Sequence, residues 1–340
     1  MCRSLAPCPA ELWTPRCFET SLRSCGEPCS IGFQPVSGLN GPSTLTPPAL
    51  LGPELIVGWV MSKSVLIAGC GFVGLPLARS FVSAGWDTAA LTASETSAAG
   101  LHGEPFPVHA LDITEKDSFR HLTRRCFDVV IHCASSGRGD ANAYTAVFLA
   151  GTQNLMANLV YERLIFTSST SVYAQQDGSW VDETSPADPA PQTGQILRQT
   201  EDLVLASEGT VARLGGLYGP GRCAPLKKLL EGRASIEEDG LRMMNTLHQL
   251  DAAAALHFLA GTESSGLFNV VDNEPVTEID WFRYVCQRLN KSLPPKGPRN
   301  LDRKRGWTSK RVSNQRLRSL GWDPSYPTFR EGVSSMLAAP

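Results

Sequence analysis

Residues 64–74 read Ser-Val-Leu-Ile-Ala-Gly-Cys-Gly-Phe-Val-Gly. A short apolar run, Val65 to Ala68, passes into a G-x-G-x-x-G whose last glycine opens a segment with helical apolar spacing. Strand, glycine turn and helix in that order form the start of a dinucleotide-binding βαβ unit. The first glycine permits the tight turn, the second lets the backbone approach a pyrophosphate, and the third lets helix and strand pack closely while the helix N-terminus faces phosphate charge. This reading assigns Gly69, Cys70, Gly71, Phe72, Val73 and Gly74 to cofactor binding.

Working outward, short β-branched runs alternate with longer segments of helical period. Strands are expected at Val65–Ala68, Thr88–Leu91, Val108–Leu111, Val129–His132, Leu164–Thr167, Val211–Leu214 and Phe268–Val271. The clearest helices are expected at Val73–Ser83, Tyr144–Leu159, Ile196–Ser207 and Asp251–Leu259. Right-handed crossovers then build an α/β fold, a Rossmann doubly wound parallel sheet. The alternation loosens after Gly219-Pro220-Gly221, and Lys291 to Arg305 is a basic, proline-containing loop. The domain reading is a nucleotide-binding Rossmann domain at 62–218, to which 243–273 returns. A smaller C-terminal α+β substrate domain is formed from 219–242 and 274–340.

Residues 1–60 differ from the rest. They hold nine prolines, seven charged residues and five of the ten cysteines, with no sustained helix or strand period. This predicts a disordered N-terminal extension. Met61-Ser-Lys-Ser-Val-Leu-Ile reads as a natural start, so the preceding residues are expected to be upstream sequence. The cysteine spacing contains no C-x-x-C, and no histidine precedes His102, so neither a zinc site nor any other metal site is expected. No apolar stretch is long enough to span a bilayer. With 31 Lys+Arg against 33 Asp+Glu, nothing in the charge balance resembles a nucleic-acid footprint. The expectations are a cytoplasmic protein, a small-molecule substrate, and neither nucleic acid nor membrane as partner.

Around the turn, the second strand ends in Leu91-Thr-Ala-Ser-Glu95. Hydroxyls at Thr92 and Ser94 stand where an acidic residue normally holds the adenosine ribose of NAD, and no arginine marks NADP. The cofactor is thus NAD or NADP. Asp112, with Ile113 beside it, either faces the adenine or caps the following helix. His132-Cys-Ala-Ser135 closes the fourth strand, where the backbone at Ala134 and Ser135 must pass close to the cofactor.

Further motifs resemble those of the extended short-chain dehydrogenase/reductases, which include nucleotide-sugar epimerases and dehydratases. They comprise AGCGFVG (68–74), LDI (111–113), HCAS (132–135), GTQNL (151–155), FTSSTSVYA (166–174), ETSPADP (183–189), RLGGLYGPG (213–221), LHQLD (247–251) and FNVVDNEPVT (268–277). The FTSSTSVY run and Leu320-Gly-Trp-Asp-Pro-Ser-Tyr-Pro are similar to short bacterial members of the YeeZ type. The resemblance covers everything from Lys63 to about Leu337. It implies a nicotinamide cofactor across the carboxyl ends of the strands and a nucleotide-linked or other polyhydroxylated substrate between two domains. It also implies Ser169 at the catalytic Ser/Thr position, hydrogen-bonding the substrate oxygen. Arg213, Arg222, Arg311 and Arg316 lie where relatives contact a substrate diphosphate or the domain interface, with Arg222 the substrate-binding candidate. Relatives dimerise through their fourth and fifth helices, which makes a homodimer an expectation.

One part of the family pattern is missing. Family chemistry uses a Tyr-x-x-x-Lys pair on one helix face, the tyrosine moving the hydroxyl proton and the lysine lowering its pKa. Here the two positions fall at Thr193 and Leu197. None of the six tyrosines is followed four residues later by lysine, and no lysine occurs between Lys116 and Lys227. Arg198 lies one residue beyond the lysine position, about 100° around the helix. Phe148 stands where relatives have asparagine. Thr193 can at most orient a water or the substrate, and Tyr173 and His132 are the remaining acid/base candidates. The sequence therefore reads as an NAD(P)-dependent oxidoreductase or epimerase with a non-standard active site, with a non-catalytic NAD(P)-binding regulator or redox sensor as the alternative.

Overall fold

A computed structural model describes residues 62–122, 126–137, 139–301, 303 and 305–338. The expectations for residues 1–60 and for the start at Met61 lie outside the described residues.

The apolar runs form parallel strands because both of their faces are covered, the setting in which near-continuous apolar strands are stable. The elements are β1 (Ser64–Ala68), α1 (Gly74–Ser83), β2 (Asp87–Thr92), α2 (Glu95–Ala99), β3 (Val108–Ala110) and β4 (Cys126–His132). After β4 come α3 (Ala141–Tyr144), α4 (Gly151–Asn158), β5 (Val160–Ser169), β6 (Trp180–Val181), α5 (Gln192–Ala206), β7 (Thr210–Leu214) and β8 (Gly216–Tyr218). The main sheet has seven strands in the order β3, β2, β1, β4, β5, β7 and a last edge strand, Gly266–Val270, all parallel. The chain winds outward from β1 in both directions, so the crevice at the carboxyl ends of β1 and β4 is the topological switch point. The doubly wound Rossmann sheet expected from the sequence is the one observed.

Side chains alternate across the sheet. Val65 and Ile67 join the core under α1 and helix Gln249–Gly261, while Leu66 and Ala68 join the core under α5. A third apolar cluster gathers Tyr218, Trp281, Phe282 and Phe329 from the later part of the chain. Asp251, in the first turn of helix Gln249–Gly261, accepts hydrogen bonds from the Ser325 and Tyr326 amides at 2.7 and 3.0 Å, which ties the C-terminal stretch to that helix.

The helix expected over Tyr144–Leu159 is divided. A π-helical turn, Thr145–Ala150, separates α3 from α4. A Cβ on Gly151 would lie 2.9 Å from Ile113 Cδ1, so the helix packs there at backbone distance. Such π turns often re-aim side chains at functional sites, and this one carries Phe148, whose ring lies 4.9 Å from that of Tyr144. The later chain also forms a separate two-stranded sheet with β6, where Arg311–Val312 pairs in parallel with Trp180–Val181. With it come the contacts of Arg305 with Ser169 and of Lys310 with Tyr173, at and just past the end of β5.

Candidate functional site

The glycine turn folds as its residues require. Gly69 has φ +108, and a Cβ there would sit 2.4 Å from the Ala134 amide nitrogen. A Cβ on Gly74 would sit 2.0 Å from the Gly69 carbonyl oxygen. Gly71 differs, since a Cβ there would meet nothing within 4 Å. Two glycines are thus demanded by the fold, and the third keeps open space. The amides of Gly69 and Cys70 donate to the Leu91 carbonyl at 3.0 and 2.9 Å, binding the turn to β2. No side chain caps α1, so its N-terminal amides remain for an anion. This is a cradle of the right chemistry for a pyrophosphate. With one, Gly69 to Val73, Thr92, Ala134 and Ser135 would hold the dinucleotide, whose nicotinamide accepts or gives up a hydride.

A cavity of about 790 Å³ runs from this turn across the carboxyl ends of β1, β4 and β5. Of the residues singled out in the sequence, Gly69, Cys70, Gly71, Phe72, Val73, Thr92, Ala134, Ser135, Ser169 and Arg222 line it. Gly74, Asp112, Ile113 and Thr193 are not in its wall. Asp112 accepts from the Thr114 amide at 2.9 Å, a local turn bond outside the cavity, and a 3-10 helix, Lys116–His121, starts four residues later with Glu115 as its cap. Thr193 is 7% exposed and Leu197 1% exposed, so this face of α5 packs into the core. Arg198 pairs with Glu201 and Asp202 along its own helix.

His132 and Tyr173 are fully buried and outside the cavity wall. Burial pushes the His132 imidazole down to about 4, and its Nε2 lies 3.1 Å from the Val147 carbonyl. The Tyr173 hydroxyl donates to the Asp182 carbonyl and to Asn269 Oδ1 at 2.8 and 2.9 Å. Burial raises its pKa. Arg213, expected near a substrate diphosphate or domain interface, is instead 1% exposed and makes a two-pronged bond to Glu201, at 3.0 and 2.6 Å. Ser168 donates to the same carboxylate, so the strand end carrying Ser169 is held by a buried ion pair. Arg311 donates to the Gly178 carbonyl, and Arg316 lies 5.0 Å over the Phe268 ring.

The sequence reading missed the other end of the cavity. Tyr144 stands beside it, and Arg242, Arg303, Arg305 and Lys310 reach it from the later chain. Arg305 Nη1 donates to Ser169 Oγ at 2.9 Å and Arg305 Nε donates to the Tyr144 hydroxyl at 2.8 Å. Ser169 Oγ also accepts from the Ser171 amide at 3.2 Å. Lys310 is 4% exposed. Its Nζ donates to the Tyr173 carbonyl and to Thr308 Oγ1, both at 2.8 Å. Burial, helped by the nearby Arg242 charge, pushes its pKa down to about 7. Among the described lining residues are five cations, Arg222, Arg242, Arg303, Arg305 and Lys310, and no carboxylate. Arg242 and Arg303 are neutralised from outside the wall by Glu237, with Glu278 also on Arg242. Arg222 lies 4.9 Å over the Phe72 ring within the turn itself. The available signal was the density of basic residues from Arg303 to Arg311, of which the sequence reading took in only those up to Arg305, as a basic, proline-containing loop.

Among the described residues no group of three or more His, Cys, Asp or Glu could hold a metal ion, and no helix is long and apolar enough to cross a membrane. The exposed large apolar side chains among the described residues, such as Trp180, Leu241 and Leu301, lie outside Tyr144–Leu159.

Comparisons with known proteins agree with this architecture. The chain is similar to Protein YeeZ of Escherichia coli strain K12, with 28% identity over 285 residues, covering 78% of this chain and 97% of the relative. It is similar to a 3-diazoavenalumate denitrifying reductase of a Streptomyces species, with 29% identity over 302 residues, covering 79% and 98%. A UDP-glucuronic acid 4-epimerase of Bacillus cereus, solved with UDP-glucuronic acid and NAD, shares the fold with a TM-score of 0.68 at 17% identity, covering 81% of this chain and 98% of that one. Residues 65–270 match the NAD dependent epimerase/dehydratase family, which takes in the glycine turn, Ser169 and the whole seven-stranded sheet, and the chain belongs to that family.

Proposed function

We propose that the protein is an NAD(P)-dependent oxidoreductase or epimerase acting on a small nucleotide-linked or other polyhydroxylated substrate, with an acid/base set different from the Tyr-x-x-x-Lys pair. One observation carries this reading: a single cavity holds the glycine cradle at one end and Ser169, bonded to Arg305, at the other. Ser169 Oγ would orient a hydroxyl or carbonyl oxygen of the substrate. Arg305 presents a planar fork of N–H donors to Ser169, and it would stabilise negative charge developing on that oxygen. Tyr144 would hold the guanidinium in place. Arg222, stacked on Phe72, would meet a phosphate or other anionic group of the ligand. The Streptomyces relative's being a reductase supports a hydride-transferring role for this architecture.

A cofactor-binding regulator is the second reading, favoured by Thr193 and Leu197 standing buried in the core where the family's acid/base pair would be. Fluorescence titration with NADH and NADPH, followed by a hydride-exchange assay across nucleotide sugars, separates the two. Binding with exchange is the expected result. Tight binding without exchange would favour the regulator, and no binding of either dinucleotide would reject both.

A further inference from the structure

Lys310 is an unusual group to find in this wall. A buried ammonium is costly unless a carboxylate compensates it, and here its partners are two neutral oxygens. An ammonium has three donors, so two bonds leave one N–H, on a residue that lines the cavity. The charged groups around it and around its partner Tyr173 are already matched. Arg242 is the nearby charge, and it is paired with Glu278 and Glu237. Tyr173 presents its carbonyl while its hydroxyl is turned to Asp182 and Asn269. Arg213 and Glu201 pair with one another against the Tyr173 ring. No carboxylate is left over for Lys310 among these.

The position matters as much as the charge. In a doubly wound sheet the two halves of a dinucleotide lie on either side of the switch point. The β2 side offers Thr92, so the nicotinamide half falls on the side of β4 and β5, where Ser169 is. Lys310 reaches that same side through the pairing of Arg311–Val312 with β6.

We propose that Lys310, carried in from the C-terminal segment, is the proton-carrying cation at the nicotinamide end of the cavity, a task the buried face of α5 is not equipped to perform. In the reducing direction a substrate carbonyl carbon takes the hydride of the reduced cofactor. Its oxygen takes a proton from the Lys310 ammonium, whose N–H bond breaks to leave a neutral amine. The reverse direction returns both. The inference rests on the dinucleotide reading above and deepens it. Its position near neutrality suits the task, since an acid or base works best when its pKa lies near the operating pH.

The test needs no substrate. Oxidised nicotinamide is a cation and reduced nicotinamide is neutral, so a nearby ammonium must oppose the first and not the second. Between pH 6 and 8 the affinity of the wild-type chain for NAD⁺ should rise relative to that for NADH, by up to about tenfold for one unit of displacement in the lysine pKa. Calorimetry in two buffers of different ionisation enthalpy should show proton release with NAD⁺ and none with NADH. NADP⁺ and NADPH replace the pair if they bind more tightly. Lys310→Met should abolish the pH dependence at high NAD⁺ affinity, and Lys310→Arg should abolish it at low affinity. A dependence that persists in both variants would overturn the assignment. Competitive labelling of the wild-type chain with acetic anhydride gives an independent reading if the variants fail to fold. Lys310 should titrate near neutrality, and a midpoint in the ordinary lysine range above about 10 would overturn the proposal. If neither dinucleotide pair binds, the dinucleotide reading itself fails and the role of Lys310 falls with it, an outcome distinct from binding without proton linkage.

Discussion

Arg213 and Lys310 are buried on two sides of one residue. Arg213 lies 4.7 Å over the Tyr173 ring and is neutralised by Glu201, whereas Lys310 binds the Tyr173 carbonyl and has neutral partners. The first belongs to the region of β5, α5 and β7, the second to the C-terminal segment. A buried charge that is paired with an opposite one, as Arg213 is through Nε and Nη2, fixes a structure. One that is left unmatched beside a cavity weakens the fold and is retained for what it does to a ligand. The difference separates a support of the site from a working part of it.

The largest way to break that contrast is to leave Arg213 without its carboxylate. Glu201→Ala removes the partner of Arg213 and Arg198 and the acceptor of Ser168, and loss of one member of a buried pair costs about 3–5 kcal/mol. A urea denaturation curve should show that loss. A smaller figure would mean that Arg213 finds water or another acceptor. Next comes the ligand side. Gly71→Val should leave the melting temperature near wild type, because the new side chain enters open space. It should still weaken dinucleotide binding by at least about 100-fold, roughly 2.7 kcal/mol, by filling the cradle. Gly74→Ala is the counterpart. Its Cβ meets backbone, so it should lower the melting temperature, and equal behaviour of the two variants would contradict the division between fold-demanded and cradle glycines.

Two pH effects are finer. Asp272 is 2% exposed, with Thr246 Oγ1 and the Glu274 amide as donors, and burial pushes its carboxyl up to about 8. Its folded-state pKa lies above the unfolded value near 3.9. Its contribution to stability is therefore full below about pH 4 and is lost as pH rises toward 8. Asp272→Asn should gain in melting temperature relative to wild type between pH 5 and 8, and parallel curves would refute the assignment. Lys310 has the opposite direction. Its folded-state pKa near 7 lies below the ordinary lysine value, so the unfolded chain binds more protons between about pH 7 and 10 and stability rises with pH there. Lys310→Met should flatten that rise in thermal melts.

The same contrast explains what was legible in the sequence. The glycine turn, the succession of strands and helices along the chain and the placing of Ser169 at a strand end follow from local patterns, since turn chemistry and apolar period act within a few residues. The absence of the tyrosine and lysine from α5 could also be read directly. The cationic end could not. Arg305 reaches Ser169 across 136 positions and Lys310 reaches Tyr173 across 137, and nothing local to either partner specifies those contacts. Asp112 shows the opposite limit. Its local turn bond and the adenine contact have the same sequence signature, and in the structure the local bond is present while the cavity lies elsewhere. The π turn at Thr145–Ala150 is likewise invisible to an apolar period that only asks for a helix.

The pairing of Arg311–Val312 with β6 also has a consequence for the order of synthesis. The glycine turn is translated early and three of the five cavity cations late, so a growing chain possesses the turn long before it possesses Arg303, Arg305 and Lys310. A chain ended before Arg303 would keep the cradle, Arg222 and Arg242, and lose Arg303, Arg305 and Lys310. On the proposed function, the site is chemically complete only with Arg311–Val312 paired on β6, so the last part of the chain to be made is the part that would add chemistry to the cradle.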